Sequence, residues 1–295
     1  MPERELFAPG HTACAGCGAP IVARTILKVT GPDVVVCNAT GCMEVFTTPH
    51  PRTAWKVPWI HAAFENAAAV ASGVDKALKK RGIRDKTKLV VLGGDGGTFD
   101  IGFGAISGMM ERGHHATYVC YDNGAYMNTG IQRSGATPKY ANTTTTPAGK
   151  VVHGKTEFSK QLPFILASHG AYVATANIAF PQDLANKLKK SFEFPGPSYI
   201  QVFSPCPTGW RHPTDQTVEI AKLAFNTNVY PMYEIENGVF KLTRKPTKFV
   251  PVDEYLMRQG RFKHLSKEDI ADVQHHVNEN WERFQKLDES GLKIF

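Results

Sequence analysis

The chain has 295 residues, of which 42% are hydrophobic, 21% charged and 10% aromatic; this composition is typical of folded globular proteins and excludes disordered and fibrous classes. The net charge of +7 comes from basic residues spread along the sequence, so a concentrated nucleic-acid-binding stripe is not expected. No apolar run approaches the roughly 18 residues of a membrane helix, and the amino end has no apolar signal region, so a cytoplasmic protein is predicted.

Short β-branched runs alternate with helix-like segments through most of the chain. Strands are predicted at residues 34–37, 88–92, 117–121, 171–174 and 199–203. Helices are predicted between them, at residues 19–29, 61–80, 103–112, 160–169 and 181–191. Apolar strands that alternate with helices predict an α/β fold with a mostly parallel sheet covered by helices on both faces.

Three stretches depart from this alternation. Residues 129–155 are rich in glycine, proline and threonine, which predicts a long loop of the kind that is often functional. A hairpin that turns at an Asn-Gly pair is predicted at residues 233–242, and a capped amphipathic helix at residues 266–286. We therefore expect a main domain at residues 1–225 and an extension at residues 226–295 that packs on it or on a partner.

A glycine-rich turn at residues 93–97 follows the predicted strand 88–92 directly. Glycines at the end of a strand let the backbone approach a phosphate, and the amides that open the next helix supply donors; such a cluster alone is equally consistent with a tight turn and a capping aspartate. In a parallel sheet this turn borders the same crevice as the loop after the next strand, which contains Asn123. Asp95 and Asn123 are therefore predicted to share a hard cation such as Mg²⁺ with diphosphate oxygens.

The cysteines suggest a second cofactor. The sequence contains Cys14, Cys17, Cys37, Cys42, Cys120 and Cys206. The Cys-x-x-Cys pair at residues 14 and 17 follows no predicted strand, unlike a thioredoxin-type redox pair, and the chain lacks the second close pair of a common zinc ribbon. Four scattered thiolates around a glycine-rich cofactor loop suit a cubane iron–sulfur cluster, and the predicted compartment disfavours disulfides.

The motif at residues 94–96, followed by Asn123, resembles the diphosphate-binding motif of thiamine diphosphate enzymes. The resemblance implies that Asp95, Asn123 and the carbonyl of Ala125 hold Mg²⁺. It also implies that Asn128 lies beside the reactive thiazolium, as a catalytic residue.

From about residue 10 to about residue 265, the chain resembles the β subunit of the 2-oxoacid:ferredoxin oxidoreductases. The matching segments are residues 10–18, 38–45, 55–61 and 204–210, together with the two cofactor loops. The resemblance implies that a [4Fe-4S] cluster is held by Cys14, Cys17, Cys42 and Cys206. It also implies that thiamine diphosphate contacts Thr40, Gly41, Cys42, Met43, Gly94, Gly96, Gly97, Met127 and Asn128.

The resemblance further implies a reaction and a set of partners. The reaction is the reversible oxidative decarboxylation of pyruvate to acetyl-CoA and CO₂, with electrons passed through the cluster to ferredoxin. An α subunit supplies the activating glutamate and much of the substrate pocket, γ and δ subunits complete the complex, and the chain alone is expected to be inactive. Oxalate or 2-oxoisovalerate in place of pyruvate and a structural zinc-binding subunit stay open as alternatives, whereas a non-redox thiamine decarboxylase would not use the four cysteines.

Four further residues lie outside the predicted ligand sets or beside them. His61, read as the start of a helix where capping or packing is usual, is a second candidate for proton transfer near the thiazolium. Cys37 and Cys120 fall within predicted strands, so buried free thiols are expected. Gly124 stands where relatives often carry glutamate; because the predicted metal ligands flank it, we expect the metal site to survive.

Overall fold

The computed structural model describes residues 4–295, and Met1, Pro2 and Glu3 lie outside the described residues. The strands are β1 (Val34–Ala39), β2 (Trp59–Ala62), β3 (Lys88–Gly94), β4 (Thr117–Asp122), β5 (Tyr172–Asn177), β6 (Ser198–Phe203), β7 (Met232–Glu236) and β8 (Val239–Arg244). The helices are α1 (Ala19–Thr30), α2 (Cys42–Thr47), α3 (Ala67–Lys80), α4 (Phe103–Glu111), α5 (Leu162–Ala167), α6 (Pro181–Glu193), α7 (Pro207–Trp210), α8 (Thr217–Asn226), α9 (Val252–Leu256) and α10 (Lys267–Ser290). Within residues 4–295 no helix is both long and apolar enough to cross a bilayer.

All the strands belong to one sheet in the order β2-β1-β3-β4-β6-β5-β7-β8. The first six in this order run parallel, and β7 and β8 join the edge antiparallel. Along β3, Val90 and Leu92 enter the hydrophobic core on one face, while Leu89 and Val91 enter the core on the other. Because both faces are covered, the strands are almost continuously apolar. The predicted α/β fold is confirmed.

Helices pack on both faces of this sheet through apolar positions one turn apart. Val22 and Ile26 of α1 lie in the core that α6 also covers. Ile106 of α4 and Phe284 of α10 lie in the opposite core, together with residues of α3 and α5. A capping box begins α10, in which Ser266 Oγ accepts from Asp269 N and the Asp269 carboxylate accepts from Ser266 N.

One predicted helix is wrong at its start. The helix predicted from residue 61 begins only at Ala67, and His61 lies in strand β2, opposite Asn38 of β1. The alanine-rich sequence after residue 61 conceals this short edge strand, which is held by pairing with β1 rather than by its own propensity.

The carboxyl-terminal segment extends the main sheet. The predicted hairpin forms as β7 and β8 and turns at Asn237 and Gly238, both with positive φ, as a two-residue hairpin turn requires. Strand β7 pairs with β5, and α10 packs on β8. The division at residue 225 stays a prediction. Helices α2, α7, α8 and α9 have no counterpart among the predicted elements.

Candidate cofactor site

The parallel pairing of β3 and β4 brings two loops together at the carboxyl edge of the sheet. Gly94 lies opposite Tyr121 in the register, so the next residues of both strands leave the sheet side by side. Asp95 follows β3, Asn123 follows β4, and the Asn123 amide N donates to Asp95 Oδ1 at 3.3 Å. The sheet register therefore places the two predicted metal ligands in contact, although they are far apart in sequence.

Three oxygens converge between these loops. Asn123 Oδ1 lies 2.9 Å from the carbonyl oxygen of Ala125 and 3.0 Å from Asp95 Oδ1. Neighbouring oxygen ligands of an octahedral Mg²⁺ at about 2.0–2.1 Å from the ion are themselves about 2.9 Å apart. Turned over, the amide of Asn123 would instead donate to both oxygens. The oxygen triad of Asp95, Asn123 and Ala125 thus fits Mg²⁺ in spacing and in ligand chemistry.

Asp95 is fully buried, and this gives the triad its electrostatic character. Burial, together with the nearby Asp122 carboxylate, raises the pKa of Asp95 well above its ordinary value, although Ser134 Oγ donates to Asp95 Oδ2. Burial also raises the pKa of Asp122 to about 6. A buried carboxylate without a counter-charge takes up a proton or a cation, so a divalent ion suits this position.

A pocket opens beside the triad, and most of the predicted cofactor-binding residues line it. These are Thr40, Gly41, Cys42, Gly94, Gly96, Gly97, Met127 and Asn128. Met43 does not line the pocket: it is fully buried, and its amide N donates to Tyr121 Oη at 3.3 Å. Phe64, Tyr121, Tyr126 and Thr129 also line the pocket, and the sequence analysis did not single them out.

Gly96 shows why a glycine is required at the start of the turn after Asp95. A Cβ atom at this position would lie 2.6 Å from the ring of Tyr126. That ring forms part of the pocket wall, as does Gly96 itself. The glycine lets the wall approach the amides that open the helical turn Gly96–Asp100, where a diphosphate would be received. Tyr126 lies three residues after the predicted ligand Asn123, in the same loop. Its position beside this predicted ligand is the sequence signal that could have identified it as a pocket residue.

Four cysteines gather next to this pocket. Cys17 N donates to the Cys14 carbonyl at 3.0 Å, Cys42 begins α2, and Cys206 precedes α7 with its Sγ accepting from Gly209 N at 3.3 Å. Burial raises the pKa of Cys17 to about 11 and that of Cys42 to about 12, and repulsion from the other cysteines of the group adds to both increases. Because the charges of these thiols act on one another, the four cysteines lie near each other; we call them the cysteine cluster.

Zinc and a cubane cluster differ in the spacing that they require of their ligands. Among residues 4–295, no three His, Cys, Asp or Glu side chains are close enough together to bind a single metal ion. A cubane cluster carries its irons at separate corners, so its four cysteines lie farther apart than the ligands of one tetrahedral zinc ion. The choice between an iron–sulfur cluster and zinc stays a prediction from the sequence.

The pocket and the cysteine cluster share side chains. Cys42 lines the pocket and belongs to the cluster. Met127 also lines the pocket and packs on Gly209, since a Cβ on Gly209 would lie 2.2 Å from Met127 Sδ. Trp210 Nε1 donates to the Asn123 carbonyl at 2.6 Å, which ties the helix after Cys206 to residues 123–125, the loop of the predicted metal ligands.

The remaining residues singled out in the sequence lie on strands β1, β2 and β4 and in the loop after β4. His61 is exposed on β2, and its Nε2 lies 2.7 Å from Thr40 Oγ1, so it reaches the pocket only through Thr40. Cys37 and Cys120 are fully buried in β1 and β4. Gly124 has a φ of +73°, and the predicted ligands that flank it, Asn123 Oδ1 and the Ala125 carbonyl oxygen, lie 2.9 Å apart.

Comparison with known proteins bears on this site. The family described as thiamine pyrophosphate enzyme, C-terminal TPP binding domain, matches residues 39–202. The chain is 55% identical over 286 residues to pyruvate synthase subunit PorB of Methanocaldococcus jannaschii, covering 95% of this chain and 96% of that protein. It is 47% identical over 296 residues to ketoisovalerate oxidoreductase subunit VorB of Pyrococcus abyssi, covering 98% and 95%.

A solved structure agrees on the fold. The 2-oxoglutarate:ferredoxin oxidoreductase from Magnetococcus marinus superposes with a TM-score of 0.60 at 24% identity, covering 75% of this chain and 81% of that chain. The family match confirms the predicted thiamine-diphosphate-binding domain. Because the identities to PorB and VorB extend over nearly the whole of each chain, this chain belongs to the β-subunit family of the 2-oxoacid:ferredoxin oxidoreductases and is an oxidoreductase subunit.

Proposed function

We propose that this chain is the β subunit of a pyruvate:ferredoxin oxidoreductase that carries both thiamine diphosphate with Mg²⁺ and a [4Fe-4S] cluster. The observation that carries the proposal is the contact between the cofactor pocket and the cysteine cluster, which share Cys42 and meet through Met127. The pyruvate assignment is supported by the identity of 55% to a pyruvate synthase subunit.

The residues of the chain have distinct parts in binding. Asp95, Asn123 and the carbonyl of Ala125 would hold Mg²⁺, and the amides that open the turn Gly96–Asp100 would receive the diphosphate. When bound, thiamine diphosphate supplies a nucleophilic carbon and an electron sink for decarboxylation. Asn128 lines the same pocket, which supports its proposed contact with the reacting part of the coenzyme.

The overall reaction requires an exit for electrons. Pyruvate and coenzyme A give acetyl-CoA, CO₂, one proton and two electrons, and two ferredoxins each take one electron. A cluster held by these cysteines next to the pocket would accept these electrons one at a time. The position of Cys42, on the pocket wall and in the cysteine cluster, provides the short path that such a transfer needs.

The pocket also supports the need for a partner. Among the described residues that line it, Asp95 is the carboxylate, and Asp95 is committed to the oxygen triad. The glutamate that activates the coenzyme must therefore come from outside this chain, which supports an α subunit that closes the pocket. Further proposed partners are γ and δ subunits and ferredoxin. Residues 226–295 are proposed to form an extension of the main domain.

The test of the two-cofactor proposal is the content of iron, acid-labile sulfide and zinc after anaerobic purification. We expect about four iron and four sulfide per chain with negligible zinc. Stoichiometric zinc without sulfide would overturn the cluster assignment and favour the structural zinc-binding alternative. The thiamine assignment is tested separately, by Mg²⁺-dependent binding of thiamine diphosphate.

A second 2-oxoacid has its own support. The 47% identity to a ketoisovalerate oxidoreductase subunit shows that this family also contains members named for a branched 2-oxoacid. Rates with pyruvate, 2-oxoisovalerate and oxalate, measured on the complex that contains this chain, separate these candidates. A higher kcat/KM for 2-oxoisovalerate or oxalate than for pyruvate would contradict the pyruvate assignment.

A further inference from the structure

A second, larger cavity lies on the other side of the metal-binding loop. Asn123 and Ala125 face the cofactor pocket, whereas Asp122 and Gly124 line this second cavity. Its volume is about 180 Å³. Much of its wall is aromatic: Phe99, Phe203, Trp210, Tyr230, Tyr255 and Phe284. The partly exposed Lys139, which also lines it, shows where the cavity reaches the surface.

A buried arginine faces into this cavity with part of its hydrogen-bonding capacity unused. Arg261 is only 3% exposed, and its guanidinium lies 3.8 Å from the centre of the Trp210 ring. Its Nε donates to Gln259 Oε1 at 2.9 Å, but its Nη2 has no hydrogen-bond partner. A Cβ atom at position 124 would lie 3.0 Å from Arg261 Nη1, and Gly124 has none, so this side of the guanidinium has no side chain of residue 124 against it. A buried guanidinium in this condition is costly unless an anion pairs with it.

The chain's own groups do not supply that anion. Asp122 is the carboxylate whose charge acts on Arg261. Both Asp122 oxygens are already engaged, with Oδ1 accepting from Gly124 N at 3.0 Å and Oδ2 from Gln201 Nε2 at 2.7 Å. The Tyr255 hydroxyl, on the same cavity wall, is also buried without a hydrogen-bond partner. The Tyr255 hydroxyl and the Arg261 guanidinium are close enough to act on each other electrostatically, so two neighbouring groups with unused hydrogen-bonding capacity line one aromatic cavity.

We propose that this cavity is a binding site for a small organic carboxylate with an apolar body. The planar guanidinium of Arg261 matches a carboxylate with two parallel hydrogen bonds, and the Tyr255 hydroxyl donates a third. The aromatic wall covers the apolar body of the ligand. The site is separate from the proposed thiamine site, and its occupancy does not require that cofactor.

The experiment is a titration of 4-fluorobenzoate, followed by ¹⁹F NMR, with the full chain in the complex in which it is purified. We expect saturable binding to the wild type that is about 10- to 100-fold weaker in Arg261→Met, because hydrogen bonds to a charged group are lost. Tyr255→Phe, which keeps the ring, is expected to weaken binding about 2- to 10-fold. Lys263→Met is the matched control, since it removes a cation two residues away that does not line the cavity, and binding should be unchanged.

Several outcomes overturn the proposal. Absence of saturable binding to the wild type, or equal binding to wild type and Arg261→Met, would show that the cavity is not a carboxylate site. Displacement by inorganic phosphate at matched ionic strength as readily as by benzoate would assign the site to small oxyanions instead. Circular dichroism and thermal melting check the folding of each variant. If Arg261→Met does not fold, the loss of affinity in Tyr255→Phe carries the test.

Discussion

At the scale of single residues, the site depends on a few side chains whose burial fixes their chemistry. The Asp95 carboxylate is buried between two loops, and Asn123 Oδ1 lies 3.0 Å from Asp95 Oδ1 and 2.9 Å from the Ala125 carbonyl oxygen. Such a group is stable only with a proton or a cation. The cysteine cluster has the same character, because burial and mutual repulsion raise the thiol pKa values of Cys17 and Cys42, and metal binding would relieve that repulsion.

Replacing Asp95 tests the metal assignment. Asp95→Asn is expected to lower Mg²⁺-dependent thiamine diphosphate affinity by more than about 100-fold, since even outer partners of a metal ligand contribute about 10- to 100-fold. Iron content should not change. Isothermal titration calorimetry with and without Mg²⁺ measures the effect, and Asp33→Asn, an exposed aspartate before β1, is the control. Retained affinity in Asp95→Asn would refute the assignment.

Cysteine replacement tests the cluster. Cys206→Ser is expected to reduce iron and sulfide to less than half of the wild-type content and to abolish the electron paramagnetic resonance signal of the reduced cluster, because a hydroxyl is a poor ligand for this centre. Cys37→Ala removes a buried thiol of β1 and should leave the iron content unchanged. Equal losses in both variants, or no loss in Cys206→Ser, would contradict the ligand set.

At the scale of elements, contacts between helices, strands and loops hold the site in place. The β3–β4 register places Asp95 against Asn123. Trp210 of α7, the helix that follows Cys206, donates a hydrogen bond to the Asn123 carbonyl. Farther from the site, Asp75 of α3 accepts from Arg84 at 2.7 Å and lies 2.9 Å from Nδ1 of His114, which follows α4. This polar contact joins the two helices that follow β2 and β3.

The Asp75 contact predicts a dependence of stability on pH. Burial acts to raise the pKa of Asp75, but hydrogen bonds with His114 and Arg84 outweigh it, and the pKa is lowered overall. A carboxyl with a lowered folded-state pKa contributes stability above its unfolded value of about 3.9, and this contribution is lost as the pH falls through the folded-state pKa. Asp75→Asn should therefore cost about 1.5–3 kcal/mol at pH 7, and the difference from wild type should shrink below about pH 4.

Urea unfolding of both proteins between pH 7 and pH 3 measures this difference. Asp85→Asn, in the exposed turn next to Arg84, is the control and should behave as the wild type does. A difference between Asp75→Asn and wild type that stays constant through the acid range would mean that Asp75 does not act through its charge.

Helix α10 offers a test of the carboxyl-terminal extension. Phe284 packs against Phe164, Tyr233 and Phe240, which come from α5 and the hairpin. Phe284→Ala is expected to destabilise the chain by about 3–5 kcal/mol, as other buried phenylalanine truncations do. Glu282→Ala, exposed on the same helix, should have little effect. Loss of α10 alone, in a separate early unfolding transition, would show that the extension is not part of the main cooperative unit.

At the scale of the whole molecule, the proposed function gives this chain one part of a shared active site. The pocket contains Asp95, the proposed metal-binding carboxylate, and it adjoins the cysteine cluster. The activating carboxylate is proposed to come from a partner. The basic balance of the chain, with a net charge of +7, suits an acidic electron acceptor such as the proposed ferredoxin.

Reconstitution tests this incompleteness. The isolated chain, loaded with thiamine diphosphate and Mg²⁺, is expected to show no 2-oxoacid-dependent reduction of a viologen dye above background. Addition of the α subunit should restore the rate by several orders of magnitude, since catalysis requires the second half of the pocket. Pyruvate-dependent turnover by the isolated chain at the rate of the complex would contradict the proposed division of the active site.

The local sequence by itself determined five of the six parallel strands, the glycine-rich turn at Gly96 and the chemistry of Asp95 and Asn123, because apolar periodicity and turn residues are local properties. Tertiary structure alone decided the rest. Strand β2 forms only by pairing with β1, and Phe64 enters the pocket only through chain folding. The guanidinium of Arg261 likewise faces a cavity whose walls come from segments far apart in sequence. Long-range packing, which no local pattern encodes, fixes these positions.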